Sequence, residues 1–224
     1  MCFAQLFLIL QAKTTTMNIK NITLCLFLCF FACLETAAES PNERQARRIF
    51  NKAYNQVFGP EGCRLTYDVN IIGIYKTKGT IAFKEKKQHF TDERVDTWND
   101  GKTAYMVYRK KKTIEIHNAN SDKKDKYSGR FKFTLDDFTY HIADDNDGYL
   151  ITLKQKKDAK GSIKEVKATL ERKTLAPIRL RIKVAFIWTT IKISDFKAGG
   201  ISDDEFVFPR NNYGNDYKYV DKRD

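Results

Sequence analysis

The residues able to do acid–base or metal chemistry are few and scattered. Of the three histidines, His89, His117 and His141, none has a second histidine or a cysteine at ligand spacing, so zinc is not expected. Each reads as an ordinary strand residue. The run Asp144-Asp145-Asn146-Asp147-Gly148 has the composition of a calcium loop, but Ala143 stands where the first liganding aspartate is needed. An acidic hairpin turn is the better reading, and Asp203-Asp204-Glu205 reads as a second solvated turn. There is no Gly-x-Ser-x-Gly elbow and no glycine-rich phosphate loop. Beyond residue 38 only Cys63 remains of five cysteines; with no histidine near it in sequence, a small buried apolar role is expected. The chain is therefore read as a non-enzyme: no catalytic residue, metal or cofactor is expected.

Aromatic and branched side chains at alternating positions are plentiful instead. Tyr67, Phe83, Phe90, Trp98, Tyr105 and Tyr108 fall in one stretch. On a curved sheet one face looks into a concave space, and if helices leave that space part-empty it becomes an apolar cavity. If they fill it, the same residues are plain core. The pattern alone does not separate the two.

The elements that must position these residues follow from periodicity. Ser40-Pro41-Asn42-Glu43 is a capping box with proline at the first helical position. Ala46, Ile49, Phe50, Ala53, Tyr54 and Val57 then give one apolar helical stripe, and Gly59-Pro60 ends it. From Cys63 the period falls to two. Leu65, Tyr67, Val69 and Ile71 alternate with polar neighbours, as do Ile81 and Phe83. Later come Tyr149, Ile151 and Leu153, then Val166, Ala168 and Leu170, then Ile178, Leu180, Ile182 and Val184 against Arg179, Arg181 and Lys183. Thr103–Tyr108, Thr113–Ile116 and Thr189–Ile193 are further strands, with Phe206 and Phe208 expected as a last short one. Asn99-Asp100-Gly101, Asn146-Asp147-Gly148 and Ala159-Lys160-Gly161 supply the turns. Asn118 to Arg130 is polar and aperiodic and reads as a long loop, with Phe131 to Phe138 as a strand or an apolar cover. The expected fold is mainly β (α+β): a strongly curved antiparallel sheet, or incomplete β-barrel, with an N-terminal amphipathic helix packed on its concave face.

Residues 1–38 differ in kind, with Lys13, Lys20 and Glu35 as their only charges. Met17 to Ala38 has the anatomy of a secretory signal peptide: a basic start, an apolar run from Ile22 to Cys33, and small residues at Thr36-Ala37-Ala38. The start is read at Met17, or else residues 1–38 are one long leader. Lipidation at Cys33 is the alternative to soluble export, though Phe30-Phe31-Ala32-Cys33 fits that pattern only in its alanine. Residues 39–224 are read as one domain. Without Lys13, Lys20 and Glu35 it keeps 38 basic and 27 acidic residues, a net of +11. Export argues against nucleic acid as the partner of that charge. Solvated loop lysines are the plain account, and a membrane-surface footprint is the second.

Three segments resemble the LolA family of periplasmic lipoprotein carriers. They are Gly79-Thr80-Ile81-Ala82-Phe83-Lys84; Trp98-Asn99-Asp100-Gly101-Lys102-Thr103-Ala104-Tyr105; and the ending Thr190 to Lys197, Asp204 to Phe208 and Tyr219 to Arg223. The resemblance implies an incomplete barrel with helices as a lid over an apolar cavity. It implies a monomeric periplasmic carrier that takes acylated lipoproteins or lipids from an inner-membrane transporter and passes them to an outer-membrane acceptor. On that reading Leu65, Tyr67, Val69, Ile81, Phe83, Phe90, Trp98 and Tyr105 line the acyl-chain cavity, with Ile49, Phe50 and Tyr54 on the covering helix. Glu85 follows Lys84 where the family often has a latching arginine. The alternative is an envelope interaction or sensor domain on the same scaffold, without lipid cargo.

Overall fold

Helix α1 (Pro41–Phe58) starts where the capping residues predict, in a computed structural model that describes residues 39–71, 75–121 and 134–223. The Ser40 hydroxyl accepts the Glu43 N–H at 3.1 Å, satisfying one of the helix's orphan donors. The return half of the capping box is not made. The Glu43 carboxylate instead accepts the N–H of Tyr140, 97 residues away. Gly59 ends the helix, its N–H bonding to Asn55. The leader assigned to residues 1–38 and most of the polar 118–130 segment lie outside the described residues.

Among the described residues twelve strands follow: β1 (Cys63–Ile71), β2 (Tyr75–Lys84), β3 (Lys87–Asp92), β4 (Val95–Asn99), β5 (Thr103–Tyr108), β6 (Thr113–Asn118), β7 (Phe138–Asp145), β8 (Gly148–Gln155), β9 (Ile163–Leu170), β10 (Pro177–Val184), β11 (Ile187–Ala198) and β12 (Lys218–Asp221). They form one open sheet in the order β12-β6-β5-β4-β3-β2-β1-β11-β10-β9-β8-β7. Two hairpin ladders, β1 to β6 and β7 to β11, are zipped together by the long-range pair β1/β11. Every pairing is antiparallel except β12 with β6. The turns use the chemistry the sequence offers. Asp100 accepts the N–H groups of Lys102 and Thr103 at 2.7 Å, and Gly101 takes the left-handed φ of +93°.

One expectation changes. Phe206 and Phe208 do not make a strand. Asp203–Phe206 is a short 3₁₀ turn capped by the Ser202 hydroxyl, and the last strand is β12. A Phe-x-Phe pair is too short a pattern to fix a period, and the three acids before it suit a capped turn. Of the Phe131–Phe138 segment, residues 131–133 lie outside the described residues, Leu135–Asp137 is a 3₁₀ turn, and Phe138 opens β7, in which Phe138, Tyr140 and Ile142 are buried between exposed Thr139 and His141.

The core has three parts. Helix residues Ala46, Ile49, Phe50 and Ala53 pack on Tyr140, Ile151, Leu153, Val166 and Ile182 of β7 to β10. Cys63, Leu65 and Tyr67 form a second cluster with Val57 and partly buried Ile81, Phe83 and Phe90. Trp98, Val107 and Ile114 form a third with Phe208, Tyr213 and Tyr219.

Helix α1 also closes one edge of the sheet. The Asn42 side-chain amide donates to Ile142 O at 2.9 Å and accepts from Ile142 N at 3.0 Å, as a neighbouring strand would. With Glu43 on Tyr140, the β7 edge is blocked against pairing with another chain. Asn42→Ala leaves both Ile142 groups partly buried and unpaired. It is expected to cost about 2 kcal/mol and lower Tm by roughly 4–8 °C. Asn42→Asp, which keeps the acceptor and loses the donor, should fall between the two in a thermal melt.

Candidate functional site

The register assigns every strand residue to a face. Leu65, Ile81, Phe90 and Thr97 stand opposite one another across β1, β2, β3 and β4, so they share the face that carries the helix. Cys63 and Phe83 share it too. Next to them Ala82, His89, Trp98 and Tyr105 are mutually opposite on the other face. Trp98 and Tyr105 are thus placed away from the wall that the sequence reading gave them. The His89 ring stacks on Trp98, and Tyr105 stacks on Phe208 at 4.4 Å, under the C-terminal segment.

The remaining residues divide into two regions. Ile49 and Phe50 are buried against β7 to β10, where protein side chains occupy the space beneath the helix. Leu65, Tyr67, Val69, Ile81, Phe83 and Phe90 form the wall on β1 to β3, beside the C-terminal half of the helix. An aromatic series joins the regions: Phe50 to Tyr54 at 6.2 Å, Tyr54 to Phe58 at 4.7 Å, Phe58 to Phe83 at 4.9 Å. The wall is only partly covered. Val69, Ile81, Phe83 and Phe90 are half-buried, and Phe58 is 37 % exposed. Its deep layer is Tyr67, stacked on Phe90 at 5.4 Å over Gly79. Burial first, and then the Asp92 carboxylate, push the Tyr67 hydroxyl above its ordinary pKa, so it stays neutral. Thr77 and Asp92, hydrogen-bonded at 2.9 Å, bound the wall on that side.

The Cys63 thiol of this wall is unreactive. Cys63 is fully buried at its base, and burial pushes its thiol up to about 11, which leaves almost no thiolate at neutral pH. What the surface offers chemically is apolar contact. Among the described residues no three His, Cys, Asp or Glu side chains converge as a metal site.

No family model matches this chain, and no curated protein matches it in sequence. Its fold does match solved structures. A protein from Thermus thermophilus, described as uncharacterized and conserved, aligns over 80 % of this chain and 99 % of its own, at 10 % identity and a TM-score of 0.54. The likeness is one of fold. The lipoprotein LppX of Mycobacterium tuberculosis aligns at 10 % identity over 72 % of this chain and 100 % of its own, with a TM-score of 0.43. A LolA superfamily protein from Nitrosomonas europaea aligns at 9 % identity over 73 % and 97 %, with a TM-score of 0.36. The shared fold rests on the Thermus protein. The expected architecture, a curved open sheet with an N-terminal helix laid on it, is the one found among the described residues.

The C-terminal segment is held to the opposite face by charge, and Lys84 takes part. Its ammonium donates to Ile201 O at 3.0 Å and pairs with Asp203 at 2.9 Å, as does Lys87. Glu205 bridges Arg64 and His89. Glu85, in the expected latch position, instead donates its backbone N–H to Gly59 O at the end of the helix. The Lys87 and Lys84 ammoniums bring the Asp203 carboxyl down from 3.8 to about 2. A lowered native pKa gives stabilisation that is present above the unfolded value and lost as protons bind. The hold of this segment should therefore weaken as pH falls from about 4 to about 2. Asp203→Asn should remove that part of the pH dependence of Tm, leaving the two curves closest at the acid end.

Proposed function

We propose that this chain is a periplasmic carrier that shelters acyl chains of lipoproteins or lipids against the β1–β3 wall, without catalysis. The supporting observation is a contiguous apolar surface of Val69, Ile81, Phe83 and Phe90 left half-covered beside helix α1. Hiding a sixteen-carbon chain from water is worth roughly 12 kcal/mol at about 0.8 kcal/mol per methylene, so an aqueous crossing calls for such a host. Partial cover also suits release, because a bound chain would keep one side open to the next acceptor. The signal-like leader and the LolA resemblance support the same reading, with an inner-membrane donor and an outer-membrane acceptor as its partners. Residues 39–224 act as one domain in it.

The test is titration of a fluorescent palmitoyl probe. Saturable uptake at one site is expected, with competition by unlabelled acyl chains. Folded protein that takes up no probe would overturn the proposal. The packed space under the first half of the helix favours a second reading. In it the same scaffold is an envelope interaction or sensor domain, and the β1–β3 wall meets a protein rather than a lipid. Absence of probe uptake would support that reading.

A further inference from the structure

The turn between β10 and β11 is built against stability. It has two residues, Ala185 and Phe186, between the paired Val184 and Ile187. Ala185 takes a left-handed φ of +52°, where such turns favour asparagine or glycine. Phe186 is 83 % exposed and Ile187 40 % exposed. No packing accounts for a phenylalanine at this tip, and a polar residue would serve the turn better.

Cations surround the tip. Lys183 lies opposite Trp188 on the face away from the helix. The Trp188 ring has the Arg181 guanidinium at 4.8 Å, Lys167 at 5.5 Å and Lys183 at 5.8 Å. The neighbouring β8–β9 loop is tied to the tip through Ala185 N–H and Ser162 O. It brings exposed Lys156, Lys157 and Lys160, with Asp158 as its acid. Beyond Arg181 the same face continues into a recess of 780 Å³ lined by Lys78, Arg179 and Lys192 with Asp68. Phe186 and Ile187 stand at the tip, and the indole with its flanking cations lies behind and around them. Apolar groups in front with aromatic and basic groups behind suit a bilayer met through its headgroups.

We infer that the β10–β11 hairpin docks this protein on an anionic lipid bilayer, Phe186 and Ile187 entering the acyl region and the surrounding lysines and arginines meeting headgroup phosphates. A point-like apolar tip suits a fluid surface better than a protein partner, which needs a broad complementary patch. The inference stands apart from acyl-chain uptake on β1–β3: Phe186 is at the hairpin tip, and Trp188 with its cations lies on the other face.

The test uses the full chain with phosphatidylglycerol and phosphatidylcholine vesicles, read by co-sedimentation and by quenching of tryptophan emission with brominated acyl chains. Binding to phosphatidylglycerol is expected to exceed binding to phosphatidylcholine at least tenfold and to weaken with salt. The double variant F186S/I187S should bind at least tenfold more weakly with an unchanged melting temperature, since both side chains are exposed. Trp188→Phe should remove most of the quenching. Equal binding to both lipids, or no quenching that depends on Trp188, would overturn the inference. Binding that follows charge but ignores F186S/I187S would overturn it in favour of a soluble acidic partner.

Discussion

Phe83→Glu is expected to reduce palmitoyl-probe uptake about a hundredfold while the protein stays folded. Phe83 is half-buried on the β1–β3 wall, in edge contact with Phe58 of the helix. Free of ligand, a glutamate there can turn its carboxylate to water. With an acyl chain seated, that carboxylate must lose hydration without gaining a partner, at a cost of several kcal/mol. About 2.7 kcal/mol already corresponds to a hundredfold change. The loss should carry its own signature: as pH falls below about 5 the carboxyl protonates and uptake should partly return. Phe90→Glu should act alike, because Phe90 lies in the same wall. Tyr105→Ser, on the opposite face, should leave uptake within about threefold. If Tyr105→Ser abolishes uptake and Phe83→Glu does not, the site has been put on the wrong face.

That contrast also marks where sequence reading stops. Alternation is plain wherever one face is buried and the other charged. Ile182 against Arg181 and Lys183 in β10 is such a case, and Leu65 and Tyr67 against Arg64 and Asp68 in β1 is another. The helix was legible for the same reason, since Ala46, Ile49, Phe50 and Ala53 make one stripe and Ser40 and Gly59 punctuate it. The division of aromatics between two faces was not legible. Trp98 and Phe90 are both aromatic and both on strands, but they share a face only if the β3–β4 turn sets the right register. That turn places Thr97 opposite Phe90, so Trp98 points the other way. Beyond β3 the C-terminal segment buries the far face as well, so apolar residues occur on both sides and alternation stops reporting direction. The occupant of the space under the helix was beyond reach for a related reason. Burial of Ile49 and Phe50 looks the same in sequence whether the partner is Tyr140 and Leu153 or a ligand.

Gly79→Ala is expected to be among the most damaging single substitutions on the wall, although it adds one methyl group. Gly79 lies opposite Tyr67 in the β1–β2 register and opposite Asp92 in the β2–β3 register. A β-carbon there would stand 2.1 Å from the Thr91 carbonyl oxygen and 2.4 Å from the Tyr67 hydroxyl. The first contact is with backbone held in the β2–β3 ladder, and the second is with a ring already stacked on Phe90. Neither yields cheaply, so the cost should be about 3 kcal/mol, a fall in Tm of roughly 6–12 °C. The two contacts are separable. Tyr67→Leu removes the ring and hydroxyl, so in a double-mutant cycle it should recover part of the Gly79→Ala loss and leave the part due to Thr91. Zero coupling would mean that Tyr67 does not lie over Gly79. A positive coupling would give the glycine of the Gly-Thr segment a physical reason: only a hydrogen atom leaves Tyr67 room to lie flat at the base of the wall.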